Sequence, residues 1–262
     1  MRDNLTILSA NMNRQPDALI SLLETTSAQI LLIQEPSWGR LVPKKSDTDP
    51  DGITVKGTCS NPNWRTVLPL TLPSEPPPHV AIFLRNDVTL STTYSILPQF
   101  NSYHCLGLRL DTEDPIIFIN YYHHVIDKRP HLHHLLGLHL PLLPILLCGD
   151  FNTHSNTWSP PDLPISTWAQ MLDTWLDANN LISLVPDGSI TRRSTTGRDS
   201  LLDHIFVNME FLGNPLFPGT CSVSFEKSIS SNHAALTLTL PLSTTPASPT
   251  TQTGCVTATC AE

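Results

Sequence analysis

The sequence predicts an α/β sandwich of four layers, two mixed β-sheets packed face to face with helices on their outer surfaces. Three observations carry this expectation. Short apolar runs bounded by turn residues recur along nearly the whole chain and are interrupted by segments of helical periodicity. Polar side chains of the kind that bind metals or phosphates stand at the borders of these runs, so that packed sheets with helices outside bring them to one rim. A chain of 262 residues, 40% apolar and 15% charged, also holds enough material for one sizeable core.

The elements follow in order. Leu5 to Ala10 reads as a strand ending at Asn11. Pro16 suits a first helical position, Asp17 complements the helix dipole, and Leu19, Leu22 and Leu23 recur at helical spacing up to about Thr26. Gln29 to Ile33 is a short buried strand that stops at Gln34-Glu35-Pro36. Residues 36–78 are irregular, with a strand at Trp64 to Leu68. His79 to Leu84 is a strand, expected to pair with Val88 to Thr93 across Arg85-Asn86-Asp87. Tyr103 to Leu110 and Ile116 to Tyr122 follow as strands. A His- and Leu-rich helix spans about 130–140, and Ile145 to Cys148 is a strand running into Gly149-Asp150-Phe151-Asn152. The helix at 166–179 carries Trp168, Met171, Leu172, Trp175 and Leu176 on one stripe, with Ser166 as its N-cap and Asn179-Asn180 at its end. Strands at Leu201 to Val207, Ser222 to Phe225 and Ala235 to Leu240 complete the pattern. From Ser243 onward 11 of 20 residues are Ser, Thr or Pro, so residues 1–242 form the domain and 243–262 a disordered tail or linker.

Composition narrows the function. A net charge of −8 speaks against an extended basic surface, although Arg192, Arg193 and Arg198 gather in one loop. Lys44-Lys45 is read as a solvated loop pair. No run of about 18 apolar residues occurs and no leader-like segment opens the chain, so neither a membrane span nor secretion is expected. The six cysteines lack metal-site spacing and read as reduced thiols, with Cys148 in the core. A nucleophile elbow and a phosphate-binding Gly-rich loop with Lys are both missing, which excludes a serine hydrolase of that type and a phosphate-loop nucleotide-binding protein.

Five segments carry the chemistry: Asn11, Gln34-Glu35, Asp150-Phe151-Asn152, Asp203 and Asn232-His233. Carboxylate and amide oxygens are hard ligands suited to Mg²⁺ or Mn²⁺. Hydrolysis of a phosphodiester needs charge neutralisation, an aligned water and help for the departing oxygen, and this set contains groups for each. Asp150 and Asn152 would point the same way on extended backbone, with Phe151 turned into the core. The histidines at 131, 133, 134 and 139 read as a polar helix face, while His123, His124, His154 and His204 stay open. Tyr121 and Tyr122 differ by a one-residue slip in register.

Gly149-Asp150-Phe151-Asn152, with Gln34-Glu35 upstream and Ser231-Asn232-His233 near the end, resembles the endonuclease/exonuclease/phosphatase family, and more narrowly the apurinic-endonuclease-like nuclease domain of non-LTR retrotransposons. Asn120-Tyr121-Tyr122-His123-His124, Asn152-Thr153-His154 with Trp158, and Thr191 through Ser200-Leu201-Leu202-Asp203 extend the resemblance over about residues 5–242. It implies a DNase-I-like fold and a Mg²⁺-dependent (Mn²⁺ possible) endonuclease that nicks double-stranded DNA to leave 3′-hydroxyl ends for target-primed reverse transcription. Glu35 would be the main metal ligand, helped by Asn11, with position 232 assisting. Asp150 would activate water, Asn152 would stabilise the pentacovalent phosphate, and His233, held by Asp203, would contact it. Tyr122 and Thr191 would hold DNA phosphate. Ser200, His154 and Arg192 would support substrate binding. The implied partner is a reverse transcriptase of the same element; the chain is expected to be monomeric, intracellular and nuclear. Asn232 departs from the family's usual Asp, which implies weaker metal affinity or slower turnover. The competing readings are a phosphoinositide or sphingolipid phosphoesterase on the same fold, and a degenerate DNA-binding module.

Overall fold

The computed structural model describes residues 4–38, 44–45, 54–55, 58–70, 77–124, 132–160, 162–195, 197–213, 220–228 and 231–241. The expected tail at 243–262 lies outside them. In chain order the elements are β1 (Asn4–Asn11), α1 (Pro16–Thr25), β2 (Ile30–Gln34), β3 (Lys44–Lys45), β4 (Thr54–Val55), β5 (Trp64–Val67), β6 (Val80–Arg85), α2 (Asn86–Ser91), β7 (Thr93–Ser102), β8 (Cys105–Asp111), β9 (Ile116–Tyr122), α3 (Leu132–Leu136), β10 (Ile145–Asp150), α4 (Ala169–Ala178), β11 (Ile182–Ser183), β12 (Asp203–Val207), α5 (Met209–Leu212), β13 (Thr220–Ser224) and β14 (Ala235–Pro241).

Two six-stranded sheets dominate, ordered β13-β14-β1-β2-β6-β5 and β11-β12-β10-β9-β8-β7. Each is built around one parallel pair, β1 with β2 and β9 with β10, flanked by antiparallel strands. Both sheets are mixed for the same reason: a parallel neighbour needs a crossover connection, and α1 lies in one of these and α3 in the other.

Side-chain alternation separates three cores. Ile30 and Leu32 of β2 face Phe118, Leu146 and Cys148 in the core between the sheets. Leu31 and Ile33 turn outward beneath Leu19, Leu22 and Leu23 of α1. Ile117, Ile119, Leu147 and Phe206 turn outward on the other sheet beneath Leu172, Trp175 and Leu176 of α4. Helix, sheet, sheet and helix thus make the four expected layers.

Sequence and structure part in several places; Lys44–Lys45, read as a solvated loop pair, is a short strand against Thr54–Val55. Val88 to Thr93 does not form a hairpin partner: Asn86–Ser91 is a helix and the strand begins at Thr93. Asp87 explains the turn inward, since it accepts from the Val88 N–H at 3.0 Å and is gripped by Arg85. The helix expected from Ser166 starts at Ala169, because the Ser166 hydroxyl accepts the His154 N–H at 2.8 Å instead of capping. Met171 lies 42% exposed, at the edge of its stripe.

A polar bond crosses the inter-sheet core. Gln34 of β2 donates to the Asn120 side-chain oxygen of β9 at 2.6 Å, and Asn120 donates to the Ile33 and Ala81 carbonyls at 2.9 Å each. Both residues are at most 1% exposed. Removing one partner leaves buried polar groups unpaired, at about 1–3 kcal/mol each. Asn120→Leu is therefore expected to lower the melting temperature by roughly 4–8 °C, the shift for about 2 kcal/mol in a domain of this size. An unchanged thermal transition would show that this bond does not help to hold the sheets together.

Candidate active site

The two parallel pairs end at the same rim. Asn11 lies at the carboxyl end of β1 and Glu35 immediately follows β2, while Tyr122 and Asp150 close β9 and β10 in mutual register. The antiparallel neighbours begin where these strands stop: Asp203 opens β12 opposite Asp150, and His233 comes just before β14. Open α/β sheets place ligand sites outside the carboxyl ends of parallel strands, and here two sheets do so together.

Backbone strain shapes this rim. Five described non-glycine residues have positive φ. Asn180 follows the C-cap of α4; the other four, Asn13 (46°), Arg14 (56°), Glu35 (45°) and Asn152 (43°), surround the site. Such conformations cost about 1–3 kcal/mol apiece and collect where function overrides local preference. Asn152 therefore does not meet Asp150 by simple strand alternation. The chain turns sharply after Phe151, the Asn152 N–H donates to one Asp150 oxygen and its amide to the other, both at 3.0 Å. Gly149 is needed one step earlier, since a β-carbon there would fall on the Tyr121 carbonyl.

Asp150 is 1% exposed. The Asn11 amide donates to its Oδ2 at 2.9 Å, the same oxygen that receives Asn152. His233 Nδ1 lies 2.9 Å from Asp203 Oδ2 and 3.8 Å from Asp150 Oδ2. Burial, and next the Asp203 charge, push the Asp150 carboxyl up to about 7, against the opposing pull of His233 and the bond from Asn11. Burial alone would lower His233, but the charge and hydrogen bond of Asp203, with Asp150 behind, raise it to about 9. Ser231 docks this segment: its hydroxyl donates to the Asn11 carbonyl at 2.7 Å and accepts the His233 N–H at 3.1 Å.

Glu35 stands at the mouth, with its side chain 15% exposed. Arg14 meets it twice, by a backbone bond to its carbonyl at 2.9 Å and by Nε at 3.5 Å from the carboxylate. Alternation settles the tyrosine register. Tyr122 shares the inner face with Asn120, whereas Tyr121 packs outward on Phe151. Burial first, then the charges of Glu35 and Asp150, raise the Tyr122 hydroxyl above its ordinary value and keep it a neutral donor.

The oxygen donors facing this rim suit a hard divalent cation. Asp150, Asp203 and His233 come within 4.8 Å of one another, yet His233 Nδ1 is already taken by Asp203. The Glu35 carboxylate, met by Arg14 at 3.5 Å and by the Tyr122 hydroxyl, lies at the more open side of the rim, with its side chain 15% exposed.

Several expected residues play other parts. Thr191 is fully buried and its hydroxyl accepts the Leu202 and Asp203 N–H groups at 2.9 Å each, so it holds the Asp203 strand and cannot touch a DNA phosphate as placed. Ser200 is likewise buried and bridges backbone to Arg192. Asn232 donates to the Arg193 carbonyl at 3.4 Å. Arg192 pairs in backbone with His233, and its charge depresses both His233 and, after burial, His154. His204 is a core residue, stacked on Phe206 and pushed down to about 3 by burial. His123 orders the Asp150 loop, its Nδ1 lying 2.9 Å from the Phe151 carbonyl and its own carbonyl accepting from Asn152. Arg14 was not foreseen; only the Asn13-Arg14 turn beside Asn11 hinted at it.

The family described as endonuclease-reverse transcriptase matches residues 116–237. Among solved structures, the endonuclease domain of TRAS1, a telomere-specific non-LTR retrotransposon, is similar over 91% of this chain and 99% of its own, at 20% identity and a TM-score of 0.61. The AP endonuclease LMAP from Leishmania major is similar over 92% of this chain and 88% of its own, at 11% identity and a TM-score of 0.60. The APE2 catalytic domain of Xenopus laevis is similar over 92% and 94%, at 13% identity and a TM-score of 0.57. A search of curated proteins finds no match. The fold is the one these nucleases share.

The buried charges make stability depend on pH. A carboxyl raised to about 7 binds its proton more tightly in the folded chain, so Asp150 favours folding at low pH and does so less as pH rises through that value. His233, raised to about 9, stabilises fully below its ordinary value near 6.5 and loses this as pH rises through about 9. Both signs agree: without added metal, the melting temperature should fall from pH 6 to pH 9.5, and Asp203→Asn should flatten the portion above neutrality. Identical pH profiles for the two proteins would contradict the Asp203–His233 coupling.

Proposed function

We propose that this chain, whose motifs resemble the endonuclease/exonuclease/phosphatase family and its retrotransposon nucleases, is a divalent-metal-dependent endonuclease that nicks double-stranded DNA. The observation that carries the reading is the convergence of Glu35, the Asp150–Asn152 pair and the Asp203–His233 dyad on one rim. A nuclease domain of a non-LTR retrotransposon among the similar structures supports DNA as the substrate.

Glu35, with Asn11 beside it, would hold Mg²⁺ or Mn²⁺, which when bound supplies charge neutralisation at the scissile phosphate. Asp150 takes the proton of the attacking water. Its raised affinity for protons suits it as a base near neutral pH, and the Asn11 and Asn152 amides fix the carboxylate. His233, protonated through most of the working range and steered by Asp203 at Nδ1, presents its other nitrogen to a phosphate oxygen. Asn152 and Tyr122, expected at the phosphate, instead hold the two carboxylates: the Asn152 amide donates to Asp150 and to the His123 carbonyl, and the Tyr122 hydroxyl bonds Glu35. Attack joins the water oxygen to phosphorus and breaks the bond to the 3′ oxygen, which takes a proton from solvent; a 5′-phosphate and a 3′-hydroxyl end result, the latter the primer that a reverse transcriptase of the same element would extend in the nucleus. Arg192 and Arg14 give local positive charge to an otherwise acidic chain, and His154 flanks Arg192.

Supercoiled-plasmid nicking tests this reading. Wild-type protein should nick with Mg²⁺ and not with EDTA, and Glu35→Ala or His233→Ala should each lower the rate by at least about 10²-fold. Nicking by folded protein in EDTA, or full activity in both variants, would sink it. Asn232→Asp supplies, in the residue preceding His233, the carboxylate that Asn232, now bonded to the Arg193 carbonyl, lacks, and should raise the Mg²⁺-dependent rate. No gain would mean that position 232 does not limit turnover.

A further inference from the structure

Arg14 is held beside Glu35 by backbone that its side chain does not favour. Its φ of 56° follows directly on Asn13 at 46°, and Glu35 itself stands at 45°. Left-handed backbone is costly for a long side chain and persists where the surroundings demand it. Two bonds do so here. Asn11 Oδ1 accepts the Asn13 N–H at 2.8 Å, and the Arg14 N–H donates to the Glu35 carbonyl at 2.9 Å. The turn thereby brings the Arg14 Nε to 3.5 Å from Glu35 Oε1. The Tyr122 hydroxyl bonds the same carboxylate. These two partners differ in how firmly they are placed. Tyr122 closes a central strand and is 6% exposed, whereas the Arg14 side chain is 59% exposed and its contact is long. Exposed pairs of this kind contribute little to stability, so Arg14 is the partner that leaves at small cost. It also has room to move: both residues line a groove of about 450 Å³, in which Arg14 is the sole Arg or Lys among the described residues. The hydrolytic steps above give Arg14 no part beyond local charge.

We propose that Arg14 is a built-in competitor for the metal carboxylate: its guanidinium and a divalent cation exchange at Glu35, and a DNA phosphate that draws the guanidinium away improves the metal site. This exchange presupposes that the rim cuts DNA with a metal at Glu35, and it specifies how the two ligands are coupled there. Three features support it. A guanidinium and a divalent cation both seek the oxygens of one carboxylate, and held there together they would repel each other. Arg14 is also tethered, since its backbone bond to the Glu35 carbonyl does not depend on where the side chain points. A displaced guanidinium therefore stays within reach of the rim. Finally, the guanidinium fork matches phosphate as well as it matches carboxylate, so a phosphodiester is a fitting second station for it. The coupling is reciprocal by linkage: if DNA improves metal binding by releasing Glu35, the metal improves DNA binding by the same factor. In a chain of net charge −8, such a pairing also makes Glu35 a poorer site for stray cations while DNA is absent.

The test begins with Mn²⁺ binding in the absence of DNA, read from the electron paramagnetic resonance signal of free Mn²⁺. Wild type, Arg14→Gln and Arg14→Lys are compared, with Glu35→Ala marking the site and thermal melting confirming that each variant is folded. Arg14→Gln should bind Mn²⁺ about three-fold more tightly than wild type, and Arg14→Lys, which keeps the charge, should lie closer to wild type. Binding of a fluorescent duplex is then followed by anisotropy in the His233→Ala background, where cleavage is silenced, once in Mg²⁺ and once in EDTA. The gain in DNA affinity on going from EDTA to Mg²⁺ should shrink by a similar factor when Arg14→Gln is added, because screening of the duplex by Mg²⁺ is common to both proteins. Mn²⁺ affinity that is unchanged or weaker in Arg14→Gln, or an equal Mg²⁺ gain in the two backgrounds, overturns the exchange and leaves Glu35 standing as the metal ligand. Equal Mn²⁺ binding by wild type and Glu35→Ala overturns both.

Discussion

One buried hydrogen bond sets the positions of nearly everything at the rim. Gln34 of the first sheet donates to Asn120 of the second at 2.6 Å, deep in the apolar layer between them. Apolar contacts alone would let two sheets slide, because hydrophobic attraction carries little direction. The amide bonds favour one registration, since a slip breaks them in a dry core, where the Gln34 Oε1 already lacks a partner. Gln34 immediately precedes Glu35, and Asn120 lies two residues before Tyr122, whose strand is in register with Asp150. The bond therefore ties the acid side of the rim to the side that carries the base. Gln34 also donates to Ser9 at 3.2 Å, which extends the tie to β1 and so towards Asn11.

Stability is given up elsewhere to keep this rim. Asp150 sits dry, close to Asp203, and would be more comfortable protonated. Four non-glycine residues around it hold left-handed backbone. Each of these conflicts is resolved by a neighbour: Asp203 by His233, Asp150 by Asn11 and Asn152, Glu35 by Arg14. A site so arranged has charge and geometry in place before substrate arrives, which is what electrostatic stabilisation of a transition state requires.

Much of this was legible in the sequence because strand ends leave a local mark. An apolar run that stops at Glu35 or Asp150 announces a carboxylate at an edge, and motif order then linked Asp203 and His233 across 30 residues. Alternation with Asn120 would also have separated Tyr122 from Tyr121, had the inner face been known. The parts that were not legible depend on contacts distant in sequence or on single side chains. Asp87 turns an expected strand into a helix through a bond to its own neighbour. Thr191 looked like a phosphate ligand, but its hydroxyl is spent on the backbone of Leu202 and Asp203. The cluster of His79, His104 and His124 rings comes from three separate segments, and no spacing rule joins them.

Glu35, and not the Asp150–Asp203–His233 cluster, is the proposed anchor of the metal on this rim. Crystals grown with Mn²⁺ and measured at its absorption edge test this most directly. An anomalous peak is expected at about 2.0–2.6 Å from a Glu35 carboxylate oxygen, with the His233 Nδ1–Asp203 contact intact. A peak bound between Asp203 and His233, with their hydrogen bond broken, would contradict it.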